Sequence, residues 1–478
     1  MSEKTKAELL ADELKYAPAH AMKQIDESEV QAADDFCAGY MQFLNDCKTE
    51  REVTAFMQKA AEARGFVPFD RTKSYAPGDK VYFVNRGKAI ILAVFGKKSV
   101  CEGVRIAAAH IDSPRLDLKP SPLYEDEELA LFKTHYYGGI KKYQWTAIPL
   151  SLHGVVYLKD GSCATVSLGE KEGEPKFVIT DLLPHLAREQ EKRTLEDGIR
   201  GEELNVLVGS RPFCTDSGSE MVKLNILHLL HEKYGMTEKD FLSAELEVVP
   251  AMPVCDIGFD RSMIGGYGHD DRVCAYPSAM AAFDVQNPEY TCVTVLTDKE
   301  ETGSDGNTGL NSSYMAYFLY DLAAAAGCAG YEVLRNSKCL SADVNAAFDP
   351  TFPGVQEKKN ASYLNRGVVI TKYTGARGKS GTSDASAEYM SFVRQILDNA
   401  HVVWQQGELG AVDAGGGGTV AKYVAKLDVD VVDVGVPVLS MHAPFEVVSK
   451  PSMSSKPITT SRILPFLSGT YSACSAPP

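Results

Sequence analysis

GVRIAAAHIDSPR (Gly103–Arg115) is the stretch on which the fold turns. Gly103–His110 is short, continuous and apolar, which suits a strand buried on both faces of a sheet. It runs out into His110 and Asp112. Four other segments carry imidazoles or carboxylates just past apolar runs. They are GYGHDDR (His269, Asp270, Asp271), VTVLTDKEETGS (Glu300, Glu301), CLSADVNAA (Asp343) and VPVLSMHAPFE (His442, Glu446). In open α/β sheets, ligands bind in the crevice beyond the carboxyl ends of the strands. Five such ends meeting there would gather histidines and several carboxylates into one pocket.

Upstream, Phe36, Tyr40, Phe43, Leu44 and Cys47 repeat at helical spacing and predict a helix docked on a core. Thr49 and Glu52 form a capping box for a second helix, with Val53, Phe56, Met57 and Ala60 inward and Gly65 as its stop. KVYFVNR (Lys80–Arg86) and KAIILAVFG (Lys88–Gly96) read as a hairpin turning at Arg86-Gly87. After about Arg115 the texture changes: prolines 114, 120 and 122 and the acidic run Glu125–Glu128 leave the first unit. Residues 116–248 hold strand-like pieces such as SLHGVVYL (Ser151–Leu158) and helical pieces around Leu182–Arg188 and Met221–His231, and read as a separate inserted domain. From about Pro250, strands such as TCVTVLT (Thr291–Thr297) and VVDVGVPVLSM (Val431–Met441) again alternate with helices. The expected fold is α/β, a mostly parallel central sheet sandwiched by helices, with residues 1–115 and 249–478 as one discontinuous domain.

Bulk properties narrow the function. The 478 residues carry 49 Lys plus Arg against 64 Asp plus Glu, a net charge of −15. Such a surface repels phosphate backbones, so nucleic acid is not an expected partner. No apolar run reaches the roughly 18 residues of a membrane span, and the polar N-terminus shows no secretory signal. The 11 scattered cysteines contain no CxxC pair and read as reduced thiols, so a cytoplasmic location is expected.

So many carboxylates in one pocket repel each other, and a pair of divalent ions relieves the repulsion. A two-metal site needs a bridging carboxylate and terminal His, Asp or Glu ligands. A donor set without thiolate suits a catalytic site with open positions. A further glutamate can take a proton from water, so Glu300-Glu301 would supply one ligand and one base. Each motif alone is weak; their joint occurrence after hydrophobic runs carries the inference.

With these motifs, the chain from about Phe36 to Glu446 resembles the aspartyl aminopeptidase/aminopeptidase I family of zinc metallopeptidases. The family order of HxD, an Asp in a D-[ND] pair, Glu-Glu, SAD and MH is present. The resemblance implies a co-catalytic zinc exopeptidase-like fold and removal of N-terminal residues from peptides. It implies that His110 and Asp343 bind one metal, Glu301 and His442 the other, and Asp270 bridges. Glu300 would be the general base, and Asp112 would hold the other ring nitrogen of His110. The metals would be zinc, with cobalt or manganese compatible with the donors. The segment 116–248 would be a dimerisation domain whose His185 reaches the neighbouring active site, within a homo-oligomer that is a tetrahedral dodecamer in the family. Lys372 matches the region where acid-selective relatives place a lysine, so an Asp or Glu N-terminus could be preferred.

Three features depart from the family. Ala346 replaces a histidine that relatives carry after SAD. Gly415–Gly418 lacks the Gly-Lys-Ser/Thr ending of a phosphate loop and reads as a flexible pocket wall. The tail after Lys450 is rich in Ser and Pro, where a Tyr-rich helix is expected. Two other functions fit the same residues: a metal-dependent deacylase or deblocking enzyme, and a non-catalytic shell protein of the same fold.

Overall fold

The computed structural model describes residues 4–16, 18–214 and 218–454. Its main sheet has nine strands, in the order Val67–Pro68, Lys80–Asn85, Ala89–Val94, Cys292–Thr297, Arg105–His110, Lys338–Ser341, Asp430–Gly435, Val368–Thr371 and Trp404–Gln406. The four strands from Cys292 to Gly435 in this order are mutually parallel. The hairpin enters antiparallel on one side, through Ala89–Val94, and Val368–Thr371 is antiparallel on the other. The centre is therefore parallel, as the continuous apolar runs require, while both flanks are mixed.

Helices cover both faces. The predicted helices form over Glu27–Asp46 and Glu50–Glu62, the second with the Thr49/Glu52 capping box. They pack with His269–Asp284 on one face, through Tyr40, Phe43, Met57 and Ala275. Tyr314–Ala326 and Gly330–Asn336 cover the other face through Met315, Phe318, Leu319 and Val333. Burying apolar surface on both sides contributes roughly 25 cal/mol per Å² removed from water, which holds the strand ends in register.

VVDVGVPVLSM does not continue as one strand. Asp430–Gly435 lies in the main sheet, whereas Pro437–Leu439 joins a five-stranded sheet with Cys255–Ile257, Met263–Gly266, Glu446–Ser449 and Asn345–Ala346. Gly435 sits at the crossing, and a Cβ there would collide with the Asp343 carbonyl. Glycine thus lets two strand ends approach closely beside a candidate ligand.

A seven-stranded sheet is drawn wholly from strands between Arg115 and Pro250 and has its own core around Trp145, Leu152, Val206 and Phe241. Met221–Tyr234 is helical, but Leu182–Arg188 is not; those residues form turns, with Pro184 in their midst. The charge-rich sequence there has apolar residues without a core to meet: Leu182, Leu183 and Leu186 are exposed. A second correction concerns the cysteines. Cys101 and Cys328 form a disulfide between the turn at Val100–Glu102 and the end of helix Tyr314–Ala326. They are 227 residues apart, so no spacing motif betrays the pair. The other described cysteines are free thiols. The unusual tail lies outside the described residues from 455 onward.

Buried charge joins the seven-stranded sheet to the main body. His153, on strand Leu150–Tyr157, sits 2.8 Å from Glu52 and 3.1 Å from Glu170. Burial alone would lower its pKa, but the two carboxylates outweigh this and raise it to about 9. A folded value above the unfolded ~6.5 means this stability is fully present below that pH. It is lost as pH rises through about 9. His153→Ala, which takes the imidazole from two half-buried carboxylates, should cost about 1–3 kcal/mol. Thermal melts at pH 7 and pH 10 check it: the wild type should lose more on going to pH 10 than the variant, and equal losses would remove His153 as the cause.

Candidate active site

The parallel strands place their chemistry at one edge. His110 pairs in register with Thr297, so the turn holding Glu300 and Glu301 follows directly beside it. Ser341 pairs with Ala108 on the other side, which brings Asp343 up next to His110. Asp270 enters at the start of helix His269–Asp284, and His442 follows strand Pro437–Leu439.

These side chains converge on Asp270. Its Oδ1 lies 3.0 Å from His110 Nε2, and its Oδ2 lies 3.3 Å from His442 Nε2. Asp343 is 3.9 Å from His110 Nε2, and Glu301 is 3.6 Å from His442 Nε2. Two ligand groups result, His110–Asp270–Asp343 and Asp270–Glu301–His442, each with its donor atoms within 4.8 Å of one another. Asp270 belongs to both and turns one oxygen to each. The Asp270–Asp271 peptide is cis.

The electrostatics leave room for cations. Glu301 Oε1 and both carboxylate oxygens of Asp271 are buried without a hydrogen-bond partner. Burial, reinforced by Asp112 and Asp270, pushes Glu300 up to about 7. Glu301 is raised by burial and then by Asp270, and Asp343 by burial and then by Asp271. Two histidines do not balance these acids. The donor set is all oxygen and imidazole, fitting zinc in a site with open positions.

Supporting groups set the ligands' orientation. His110 Nδ1 lies 3.0 Å from the Asp112 main-chain carbonyl and 3.3 Å from its carboxylate. That carboxylate accepts the amide N–H of Glu300 and of Glu301, at 3.1 and 3.2 Å, and the Tyr137 hydroxyl at 2.7 Å. Asp112 therefore holds the Glu300-Glu301 turn as well as His110. Glu446 accepts the backbone N–H of both His442 and Asp270. His442 Nδ1 lies 2.8 Å from the Gly139 carbonyl. The adjacent Gly138 has φ +77° and lies against Glu301, a place where a side chain would be strained and crowded.

The seven metal-centre residues expected from sequence, His110, Asp112, Asp270, Glu300, Glu301, Asp343 and His442, are thus brought together. Two other candidates are not. His185 lies in an exposed turn of the seven-stranded unit. Lys372 is not among the residues that line the active-site cleft. Side chains alternate across a strand end, and Thr371 takes the cleft side while Lys372 faces a separate cavity of about 950 Å³. There it pairs with Asp384 at 3.2 Å. That cavity is the larger of the two but holds none of the ligand residues. The cleft itself, about 600 Å³, is also lined by Gly416–Gly418, Thr419, Lys422, Tyr423 and Asp433. Tyr137, Gly139, Lys422 and Tyr423 carried no motif in the sequence.

The model of the aminopeptidase I zinc metalloprotease (M18) family matches residues 43–459. The probable M18 family aminopeptidase 1 of Clostridium acetobutylicum is 46% identical over 441 residues, covering 90% of this chain and 94% of its own. The crystal structure of an M18 family aminopeptidase from Thermotoga maritima matches with a TM-score of 0.89 at 42% identity, over 94% of this chain and 99% of that one. The aminopeptidase I structure from C. acetobutylicum matches at 0.88 and 43%, over 95% and 100%. The S. cerevisiae mApe1 dodecamer, at 19% identity and 0.72 over 91% and 96%, shares the fold. On a family match spanning most of its length and relatives above 40% identity, the chain belongs to the aminopeptidase I zinc metalloprotease (M18) family and is a zinc aminopeptidase.

Proposed function

We propose that the enzyme binds two metal ions per chain and removes the N-terminal residue of peptides with Glu300 as its general base. The observation that carries this is the double role of Asp270, one carboxylate oxygen toward each histidine-containing group. In this reading His110 and Asp343 would hold one ion and Glu301 and His442 the other, with Asp270 belonging to both groups. Zinc bound there supplies Lewis acidity toward the peptide carbonyl and toward water.

The chain's own residues do the rest. Glu300, 4.0 Å from His110 Nε2 and in no ligand group, is free to accept a proton from the attacking water. The C–O bond forms and the C–N bond breaks, and the same carboxyl returns the proton to the leaving amine. Asp112 and Tyr137 keep the Glu300 turn in place through the hydrogen bonds already described, and Glu446 fixes the backbone on which Asp270 and His442 stand.

Residues 116–248 form, in this reading, an inserted dimerisation domain with 1–115 and 249–478 as the catalytic part. The assembly is a homo-oligomer of dodecameric type, and the exposed His185 turn offers its imidazole to a neighbouring subunit's cleft. His185→Phe is expected to lower kcat/KM at least tenfold while sedimentation shows the assembly intact. Unchanged kinetics would remove the neighbouring-subunit role. Among the described residues no helix is long and apolar enough to cross a membrane. With Lys372 directed elsewhere, the cleft offers no lysine at that position to favour an Asp or Glu N-terminus.

The test is an assay of metal-analysed protein on aminoacyl-p-nitroanilides of Asp, Glu, Leu and Lys beside their N-acetylated forms. About two metals per chain with cleavage of only the unblocked substrates is the expected result. Cleavage of the acetylated forms would make the enzyme a deblocking amidase instead.

A further inference from the structure

We infer that Lys422 binds a carboxylate of the substrate on the leaving-group side of the scissile bond, so that short peptides with a free C-terminus, or peptides acidic at the second residue, are favoured. This rests on the reading of Glu300 as the base.

Lys422 is the one lysine or arginine among the described residues that line the cleft. The other charged walls are acidic: Asp270, Glu300, Glu301, Asp343 and Asp433. Neighbouring lysines are already engaged. Lys372 and Lys379 both pair with Asp384, and the Lys299 ammonium lies over the Tyr137 ring. Lys422 has no ion pair or side-chain hydrogen bond among the described residues; its ammonium stands 5.4 Å from the Tyr423 ring centroid. A half-buried ammonium in an acidic cleft is a ready donor to an incoming carboxylate, and lysine presents a compact charge that binds it as a point.

Its location determines which part of the substrate it meets. Lys422 sits on the short helix Ala421–Ala425, anchored from below by buried Ala421 and Val424. The next residue, Tyr423, donates its hydroxyl to the Gly303 carbonyl at 2.6 Å. Gly303 closes the turn that carries Glu300 and Glu301. The helix is therefore tied to the Glu300 flank of the cleft, and Glu300 delivers its proton to the departing amine. What lies beyond that amine is the second residue: its side chain or, in a dipeptide, the terminal carboxylate.

The experiment compares kcat/KM for Leu-Gly with Leu-Gly amide, and for Leu-Asp amide with Leu-Asn amide, in wild type, Lys422→Met, Lys422→Arg and Lys372→Met. A charge-assisted contact predicts that wild type favours at least one carboxylate substrate about tenfold. Lys422→Met should bring that ratio to near one, and Lys422→Arg should keep most of it. Lys372→Met should behave as wild type. Preference for Leu-Gly alone assigns the terminal carboxylate; preference for Leu-Asp amide assigns the side chain. Wild-type ratios near one, or ratios that survive in Lys422→Met, overturn the inference while leaving the aminopeptidase reading standing. A wild type that cleaves none of the four substrates overturns both.

Discussion

Glu300→Gln is expected to lower kcat by about 10²–10⁴ while leaving the protein folded, assembled and metal-loaded. The substitution keeps the volume and the backbone N–H that Asp112 accepts at 3.1 Å, so the turn should not move. What disappears is the oxygen that can take and return a proton. Glu300 stands outside both ligand groups, so metal content should hold at the wild-type value. Glu301→Gln makes the contrast, because it weakens a ligand and should lower metal content along with rate. Stopped assays with metal counting on both variants separate the two roles. A Glu300→Gln enzyme within tenfold of wild type would assign the base elsewhere; one that loses metal would make Glu300 a ligand.

The order of the catalytic motifs was legible because His110, Glu300 and Asp343 each lie at or just past the end of a strand too apolar to be anything but buried. Once Arg105–His110 is read as a central parallel strand, the positions of Glu300 and Asp343 follow from register, as their strands pair on either side of it. The helix stripe at Phe36–Cys47 and the Thr49/Glu52 box were equally local signals and formed as read. The failures share a cause in what is not local. Leu182–Arg188 has helical spacing but no core to receive it, so its leucines stay exposed and the chain turns. Lys372 and Thr371 are neighbours in sequence yet face opposite cavities, and a one-residue shift in register decides which can touch substrate. Cys101 and Cys328 meet only because the fold folds the turn at Val100–Glu102 onto the end of a distant helix. Gly139 and Tyr137 act through a backbone carbonyl and a hydroxyl, roles that leave no pattern to find.

Removing the metals should abolish turnover and also invert the way stability responds to pH. In the metal-free protein, Asp271, Glu300, Glu301 and Asp343 share a buried pocket with only two histidines. Burial first, then mutual repulsion, raises all four, Glu300 to about 7. Their folded values therefore lie above the unfolded ~4, so the folded state binds more protons. For Glu300 that contribution is fully present below about pH 4 and is lost as pH climbs through about 7. Metal binding runs the other way, since it needs the carboxylates ionised and the imidazoles neutral, and strengthens as pH rises. The loaded and stripped proteins should thus melt at similar temperatures near pH 5 and diverge by pH 7.5. A hundredfold excess of free zinc over its Kd adds about 2.7 kcal/mol for each site occupied. Back-titration of the stripped enzyme then counts the ions: activity returning fully only near the second equivalent supports the bridged pair around Asp270. Full activity at one equivalent would leave the second ligand group without a catalytic role. A stripped protein that melts like the loaded one at every pH would mean that the clustered carboxylates are already neutralised within the chain.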